Sequence, residues 1–317
     1  MNVPIVEILP KKMSSSLRHF PREITPERLA THTSGLPSLP KDWNFWWNMY
    51  RHSTNPYSAY HEDNLATTLQ KYRDSNPQNI GNNFAYSNLG MGLLGYALTV
   101  AMPQSGPSLK SSGPAAKTNA TAVAYDQLLQ EYITKPFHLN DTTVQLTDKL
   151  LPGYDRKGKI TPHWTFDALA GCGALHSTLG DVLSFGVAHL RAASQSRDST
   201  PPDDATTTPM DRAMQMCHKQ HFVIEDSESV ELSVGLGWIR EKYKNLGSGD
   251  LTILWHNGQT YGFASFLGWE PQTGAVVVVL SNSPSVPVTT LGKRILLDAV
   301  KRKIDTAEQT TLTSTTT

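Results

Sequence analysis

The sequence predicts an α+β fold in which helices come first, antiparallel strands follow, and a last helix closes the chain. Segments 89–101 and 124–137 are helix-like, and segment 178–193 carries apolar residues at helical spacing. The pattern then changes to short β-rich runs broken by Gly, Asn or Pro, of which GAVVVVL at 274–280 is one. Segment 291–304 is again amphipathic, with a basic end. Because helices and strands are segregated rather than alternating, an antiparallel sheet is expected.

Composition and charge limit the classes of partner. The 317 residues carry 28 Lys and Arg against 28 Asp and Glu, so nothing supports the excess positive charge that nucleic-acid binding needs. No apolar run is long enough to span a bilayer, and no transmembrane segment is expected. Two cysteines, Cys172 and Cys217, are too few for a disulfide framework, and no signal-peptide pattern opens the sequence. The compartment is therefore left open.

The chain is expected to form a single two-lobed domain over residues 1–305. The polar, Pro-rich and Ser-rich segments interrupt the apolar periodicity and are predicted to be surface insertions or a frayed end. The expected parts are a helical lobe at about 25–195, a sheet lobe at about 210–305, insertions at 103–121 and 193–209, and a disordered tail at 306–317.

Residues 84–98, FAYSNLGMGLLGYAL, support two incompatible interpretations. Three glycines in this stretch have the GxGxxG spacing of a dinucleotide-binding turn, whereas Tyr86 and Asn88 form a Tyr-x-Asn pair that some serine hydrolases use for proton transfer. A dinucleotide turn needs a preceding strand and an acidic residue about 20 positions later. Turn formers precede the glycines, and no Asp or Glu lies near position 110. We therefore interpret the glycines as helix-packing residues and expect no cofactor.

Three landmarks follow one another along the chain: LATHTSGLP at 29–37, the Tyr-x-Asn stretch at 84–98, and WHNGQTYGFASFLGWEP at 255–271. Their order and spacing resemble the serine hydrolases that include class C β-lactamases, DD-peptidases and related esterases. The resemblance runs from about residue 3 to residue 300. It implies a helical lobe beside an antiparallel sheet flanked by helices, and a substrate that is a D-Ala-D-Ala peptide, a β-lactam or an ester.

The resemblance also implies roles for particular residues. Tyr86 would transfer protons, which requires nearby cations that favour phenolate, and Asn88 would orient a lysine or the substrate carbonyl. His256 and Gly258 match a Lys/His-x-Gly strand motif, with Gly258 letting the substrate approach and the Gln259 N–H serving as an oxyanion donor. A histidine at position 256 would make the charge of the site titrate near neutrality. These groups are expected to converge on one cleft.

The acylating Ser-x-x-Lys motif of that family is expected before the HTSGLP landmark, and this sequence does not contain it there. Ser38-Leu39-Pro40-Lys41 is the only Ser-x-x-Lys in the chain, and Pro40 is incompatible with the helix interior that the motif requires. Ser34 and Ser87 are interpreted as loop residues. We therefore expect an N-terminally truncated, inactive chain. The alternative is a non-catalytic homologue that binds a ligand.

Two other groups of residues have alternative interpretations. The aromatic cluster at Trp43, Phe45, Trp46, Trp47 and Tyr50 is interpreted as core of the helical lobe, or alternatively as a wall of the substrate pocket. The segment 217–221, CHKQH, has three residues that could ligate a metal but no distant partner, and no metal site is expected.

Overall fold

The computed structural model describes residues 1–51, 55–72, 79–102, 120–195, 207–246 and 249–314. Contacts divide the chain into two compact units, Met1–Thr178 with Thr260–Gly262, and Leu179–Gln259 with Phe263–Thr317. The predicted α+β class is confirmed, since the first unit is mainly helical and the second holds a six-stranded antiparallel sheet with helices. Among the described residues no helix is both long and apolar enough to cross a bilayer.

The first unit is built around one buried helix. This helix is α6 (Asn88–Ala101), and its Leu89 and Leu93 are fully buried. It contacts α3 (Pro26–Ala30), α7 (Ala120–Leu129) and the 3₁₀ turn at Ala170–Cys172. The elements of the unit are α1 (Ile5–Ile8), α2 (Lys11–Ser14), α3 (Pro26–Ala30), α4 (Trp43–Arg51), α5 (Glu62–Lys71), α6 (Asn88–Ala101), α7 (Ala120–Leu129) with a π-helical turn (Gln130–Thr134), and the strand pair β1 (Gly153–Tyr154) and β2 (Ile160–Thr161).

The glycines of the GxGxxG sequence lie inside α6 and not in a turn that precedes a helix. A Cβ at Gly92 would come within 2.4 Å of the Leu169 side chain, and one at Gly95 would lie 2.8 Å from the Gly171 Cα. The absence of side chains thus lets the 3₁₀ turn pack directly against the helix. The helix-packing interpretation is confirmed.

The aromatic cluster on α4 is not core, and this prediction was wrong for four of its five members. Phe45 is fully buried and packs against Tyr57 and Tyr60, whereas the other four rings are exposed. Since α4 has only nine residues and buries a single narrow face, most of its aromatic surface faces solvent. The exposed members are Trp43, Trp46, Trp47 and Tyr50.

The second unit contains a six-stranded sheet in which every strand pairs with its neighbour in sequence, in the order β3-β4-β5-β6-β7-β8. All five pairings are antiparallel, as the segregated pattern predicted. The strands are β3 (Phe222–Asp226), β4 (Val230–Val234), β5 (Ile239–Leu246), β6 (Gly249–Gln259), β7 (Ala264–Glu270) and β8 (Ala275–Ser281), and the helices are α8 (Leu179–Gln195), α9 (Pro209–His218) and α10 (Val288–Ser314).

Helices cover both faces of this sheet. On one face, Gly186 of α8 lies so close to the sheet that a Cβ would be 2.8 Å from side-chain atoms of Leu267 and Val276. On the other, Gly292 of α10 sits against the Phe266 ring, which a Cβ would approach to 2.2 Å. Because successive side chains of a strand alternate between faces, β7 supplies one apolar layer to each helix. The unit is a three-layer helix–sheet–helix arrangement.

The observed division differs from the expected lobes. Helix α8 belongs with the sheet, so the boundary lies at Thr178 and not between 195 and 210, and residues before 25 contribute Ile5 and Ile24 to the core of the first unit. Helix α10 continues to Ser314, through most of the tail predicted to be disordered at 306–317, because each added residue extends an existing hydrogen-bonded helix. The predicted insertions at 103–121 and 193–209 fall mostly outside the described residues.

Candidate active site

Ser87 fixes the Tyr86–Asn88 segment at the start of α6. Its side-chain oxygen accepts the Gly90 N–H at 2.8 Å, as an N-cap, and donates to the Pro37 carbonyl at 2.7 Å. Its backbone N–H donates to His32 Nδ1 at 3.1 Å. Since Ser87 is fully buried, these three bonds hold the residues on either side of it in a defined position. The interpretation of Ser87 as a loop residue is thereby confirmed.

The HTSG turn is the other support of this segment. His32 is buried, has a left-handed backbone (φ 56°), and its ring lies 4.3 Å from the Tyr86 ring, centroid to centroid. Its carbonyl accepts the Ala85 N–H at 2.8 Å. Because Nδ1 accepts the Ser87 N–H, the neutral imidazole carries its proton on Nε2. His32 is a positioning residue that sequence reasoning recognised only as part of a landmark.

The Tyr86 phenol is partly exposed, with 43% of its surface accessible. Burial of the remainder, followed by the neighbouring Cys172 thiol, raises the pKa of Tyr86 above its usual value. The phenol is therefore neutral at pH 7 and can donate a proton. Acting as a base would need a cation to lower this pKa, and both of these influences raise it.

A buried tyrosine that the sequence did not single out lies beside Asn88. The Tyr57 hydroxyl interacts with the Asn88 side chain, which acts to lower the Tyr57 pKa, and the Tyr57 ring stacks on Phe166 at 4.7 Å between centroids. Burial raises the pKa of Tyr57, so its hydroxyl stays protonated. No local signal marks Tyr57, because it lies 31 positions from Asn88 and the contact is made only by the fold.

Cys172 lies beside these phenols but is not a nucleophile. Burial raises the pKa of its thiol to about 12, and the same thiol contributes to the raised pKa of Tyr125, which burial brings to about 12. A thiol acts as a nucleophile only as thiolate, which this environment disfavours.

The remaining predicted residues, His256, Gly258 and Gln259, lie in the second unit at the end of β6. Strand β5 begins at Ile239, directly after the turn over 235–238 that connects it to β4. Ile239 pairs with Trp255, so Trp255 is the final residue of β6 that has a partner in β5. Beyond Trp255, β6 continues beside β7 alone, from His256 opposite Leu267 to Gln259 opposite Ala264. Within the described strands, β6 thus extends past β5, and an overhang of this kind is where an extended ligand can add to a sheet.

His256 is half-buried on this overhang, and burial lowers its pKa below the usual histidine value. A backbone hydrogen bond at Asn257 acts in the opposite direction with a smaller effect. Burial of the ring therefore disfavours the positively charged form of His256. A Cβ at Gly258 would lie 2.8 Å from Ser265 Oγ, so a side chain at this position would require the Ser265 hydroxyl to rotate away.

The one Ser-x-x-Lys sequence does not form a catalytic helix. Residues 38–41 are in a loop, where the Ser38 carbonyl accepts the N–H groups of Asn88 and Leu89. Ser38 and Lys41 consequently lack the one-turn helical relation that would place an amine against a serine hydroxyl.

Over the described residues no group of three or more His, Cys, Asp or Glu side chains is arranged to hold a metal ion. His218 from the CHKQH segment instead hydrogen-bonds His189, with 2.7 Å between Nε2 and Nδ1.

Comparison with known proteins agrees with the order of landmarks. The chain is 27% identical over 271 residues to the D-alanyl-D-alanine-carboxypeptidase/endopeptidase AmpH of Escherichia coli K12, an alignment that covers 81% of this chain and 58% of AmpH. This chain thus spans less than two thirds of that relative.

Solved structures share its fold. A class C β-lactamase from Rhodobacter sphaeroides superposes with a TM-score of 0.62 at 19% identity, covering 94% of this chain and 78% of that protein. A D-stereospecific amidohydrolase from Streptomyces sp. gives 0.58 at 20% identity, over 89% and 74%. The family model described as Beta-lactamase matches residues 1–300. The chain belongs to the Beta-lactamase family.

Proposed function

We propose that this chain carries the proton-transfer and oxyanion groups of a serine hydrolase of the β-lactamase and DD-peptidase type, which forms an acyl-enzyme with an amide or ester. Family membership over residues 1–300 supports the reaction class. Similarity to a D-alanyl-D-alanine-carboxypeptidase and to a D-stereospecific amidohydrolase supports an amide beside a D-residue as one substrate, with β-lactams and small esters as others.

The observation that carries the proposal is the rigid presentation of Tyr86 and Asn88 at the start of α6. Ser87 and His32 fix the backbone on both sides of Ser87, which is the preorganisation that a proton-transfer group needs. In the proposed mechanism, neutral Tyr86 donates a proton to the leaving group and Asn88 orients the substrate carbonyl.

The end of β6 supplies the second set of groups. In the proposal, the Gln259 N–H stabilises the oxyanion and Gly258 allows the substrate backbone to approach the strand. Because burial disfavours the charged form of His256, this residue contributes a hydrogen bond and not a cation in the proposal. We therefore propose that a free carboxylate on the substrate is not required.

A second candidate is a ligand-binding homologue without catalytic activity. The loop conformation of residues 38–41 favours this second candidate. In a loop, Ser38 and Lys41 lack the helical spacing that would let the lysine activate the serine. We propose that these 317 residues do not form an acyl-enzyme on their own.

A gain-of-function experiment separates the two candidates. The chain is fused behind a Ser-x-x-Lys segment taken from a class C β-lactamase, incubated with a penicillin or an activated ester, and measured by intact-mass spectrometry. We expect an acyl adduct in the fusion and none in the chain alone or in the fusion whose serine is changed to alanine. Tyr86→Phe in the fusion is expected to lower turnover by roughly 10²–10⁴, whereas Tyr50→Phe on the exposed face of α4 leaves it unchanged.

Three outcomes decide against parts of the proposal. An adduct on the chain alone would reveal a nucleophile within it, which peptide mapping would locate. A folded fusion that binds penicillin without forming an adduct would favour the ligand-binding candidate. Turnover within twofold of the parent in Tyr86→Phe would remove Tyr86 from the mechanism.

A further inference from the structure

Helix α4 exposes an unusual amount of aromatic surface. Trp43 and Tyr50 are 74% and 79% accessible, and Trp46 and Trp47 are 48% and 44% accessible. Phe45, fully buried, anchors the opposite side of the helix in the core of the first unit. Scattered exposed apolar residues are ordinary, but four large aromatic side chains on one nine-residue helix mark an interaction surface.

The exposed rings are arranged as a row. Trp43 stacks on Trp47 at 6.0 Å with 19° between planes, and Trp47 stacks on Tyr50 at 5.9 Å with 26°. The Arg51 guanidinium lies 5.8 Å from the centre of the Trp47 ring. Trp47 is therefore in contact with three neighbours, and the highly exposed Trp43 and Tyr50 form the ends of the row.

The exposed charged residues at both ends of α4 are positive. Lys41 precedes the helix, Arg51 ends it, and both side chains are exposed. The acid in this stretch, Asp42, is engaged inward, where its carboxylate accepts the Phe45 N–H at 2.9 Å and the Thr68 hydroxyl at 2.7 Å. The aromatic row is thus flanked by cations, which suits an anionic surface.

A second lysine adds to the positive charge at the start of the helix. Lys41 and Lys71 both line a cavity of about 360 Å³. Lys41 and Asp42, which directly precede α4, both belong to the lining of this cavity.

We propose that α4 docks the protein on the surface of a lipid bilayer that carries anionic headgroups. Trp and Tyr have apolar rings and one polar tip, and they concentrate where hydrocarbon meets headgroups. A short helix with such a face lies in the plane of the interface, while Lys and Arg at its rim contact lipid phosphates. This inference is independent of the proposed hydrolase function.

The test is co-sedimentation of the full chain with vesicles of phosphatidylcholine alone or of phosphatidylcholine with one third phosphatidylglycerol. We expect binding to the anionic vesicles in 100 mM salt, weaker binding to the neutral ones, and at least a tenfold loss of partitioning in the variant W43S/W47S/Y50S. The matched control is L151S/I160S, which removes two other exposed apolar side chains of the same unit and should stay within twofold of the parent. K41Q/R51Q should lose the preference for anionic vesicles.

Circular dichroism and thermal melting establish that each variant is folded, and brominated lipids report contact directly. They should quench tryptophan emission in the parent and less in W43F/W46F/W47F. Equal binding by the parent and W43S/W47S/Y50S, or no binding to anionic vesicles, overturns the proposal. So does retention on an insoluble glycan without vesicle binding, or a dimer that the triple substitution dissociates, since either outcome assigns the row to a different partner.

Discussion

Acidification between pH 6.5 and 5 should destabilise the second unit through the His189–His218 pair. His189 on α8 is 4% exposed and shares a hydrogen bond with His218 on α9, among the rings of Trp238 and Trp269. Burial, and then the charge of His218, lowers the pKa of His189 from 6.5 to about 3. Burial, and then Arg240, lowers the pKa of His218 from 6.5 to about 4.

Because the pKa values of His189 and His218 are lower in the folded than in the unfolded chain, acid destabilises the folded state. Below pH 6.5 the unfolded chain binds protons that the folded chain does not, so the free energy of unfolding falls as pH falls, and the loss continues down to the folded pKa values. Each histidine contributes up to about 1.36 kcal/mol per pH unit, or about 2 kcal/mol between pH 6.5 and 5. Because His218 is only half-buried and the two sites interact, we expect a loss of about 2–4 kcal/mol for the pair.

Urea denaturation followed by circular dichroism at pH 7 and pH 5 measures this loss. His176 and His256 also have lowered pKa values and add to it in the same direction, so the comparison must be with a variant. The loss on acidification should shrink by about 1–2 kcal/mol in His218→Gln and stay unchanged in His19→Gln, which alters an exposed histidine. An undiminished loss in His218→Gln would refute the reasoning, whatever the variant's stability at pH 7.

Other substitutions test the packing and the site. Ser87→Ala removes the N-cap of α6 and leaves the part-buried Pro37 carbonyl without this donor, which should cost about 1–3 kcal/mol in urea denaturation. The exposed Ser15→Ala should change the free energy of unfolding by less than about 0.5 kcal/mol. Gly95→Val places a side chain against the Gly171 backbone and should lower the melting temperature by at least 5 °C, corresponding to a loss of about 1–3 kcal/mol. His256→Lys should raise the affinity for a substrate with a free carboxylate over its neutral ester about tenfold, measured by calorimetry; an unchanged ratio would remove His256 from the substrate site.

Much of the fold was predictable because its signals are local. The helical spacing of apolar residues in 89–101 and 178–193, and the β-rich runs after them, specify elements whose side chains alternate with the period of each structure. The exposure of α4 was not predictable. The sequence of an aromatic helix such as α4 is the same whether the side away from Phe45 packs on protein or faces solvent. Only the packing of the neighbouring elements decides between these two environments.

By itself, the sequence determined the α+β class, the antiparallel order of the strands and the family, through motifs whose order along the chain is visible without coordinates. Only the tertiary structure decided which side chains lie against the Tyr86–Asn88 segment. Tyr57 is 31 positions from Asn88 in sequence, and His32 is 54 positions from Tyr86. It alone decided the protonation of the groups as well, because the pKa values of Tyr86 and His256 depend on burial. Burial is a property of the whole packed chain, and no short stretch of residues specifies it.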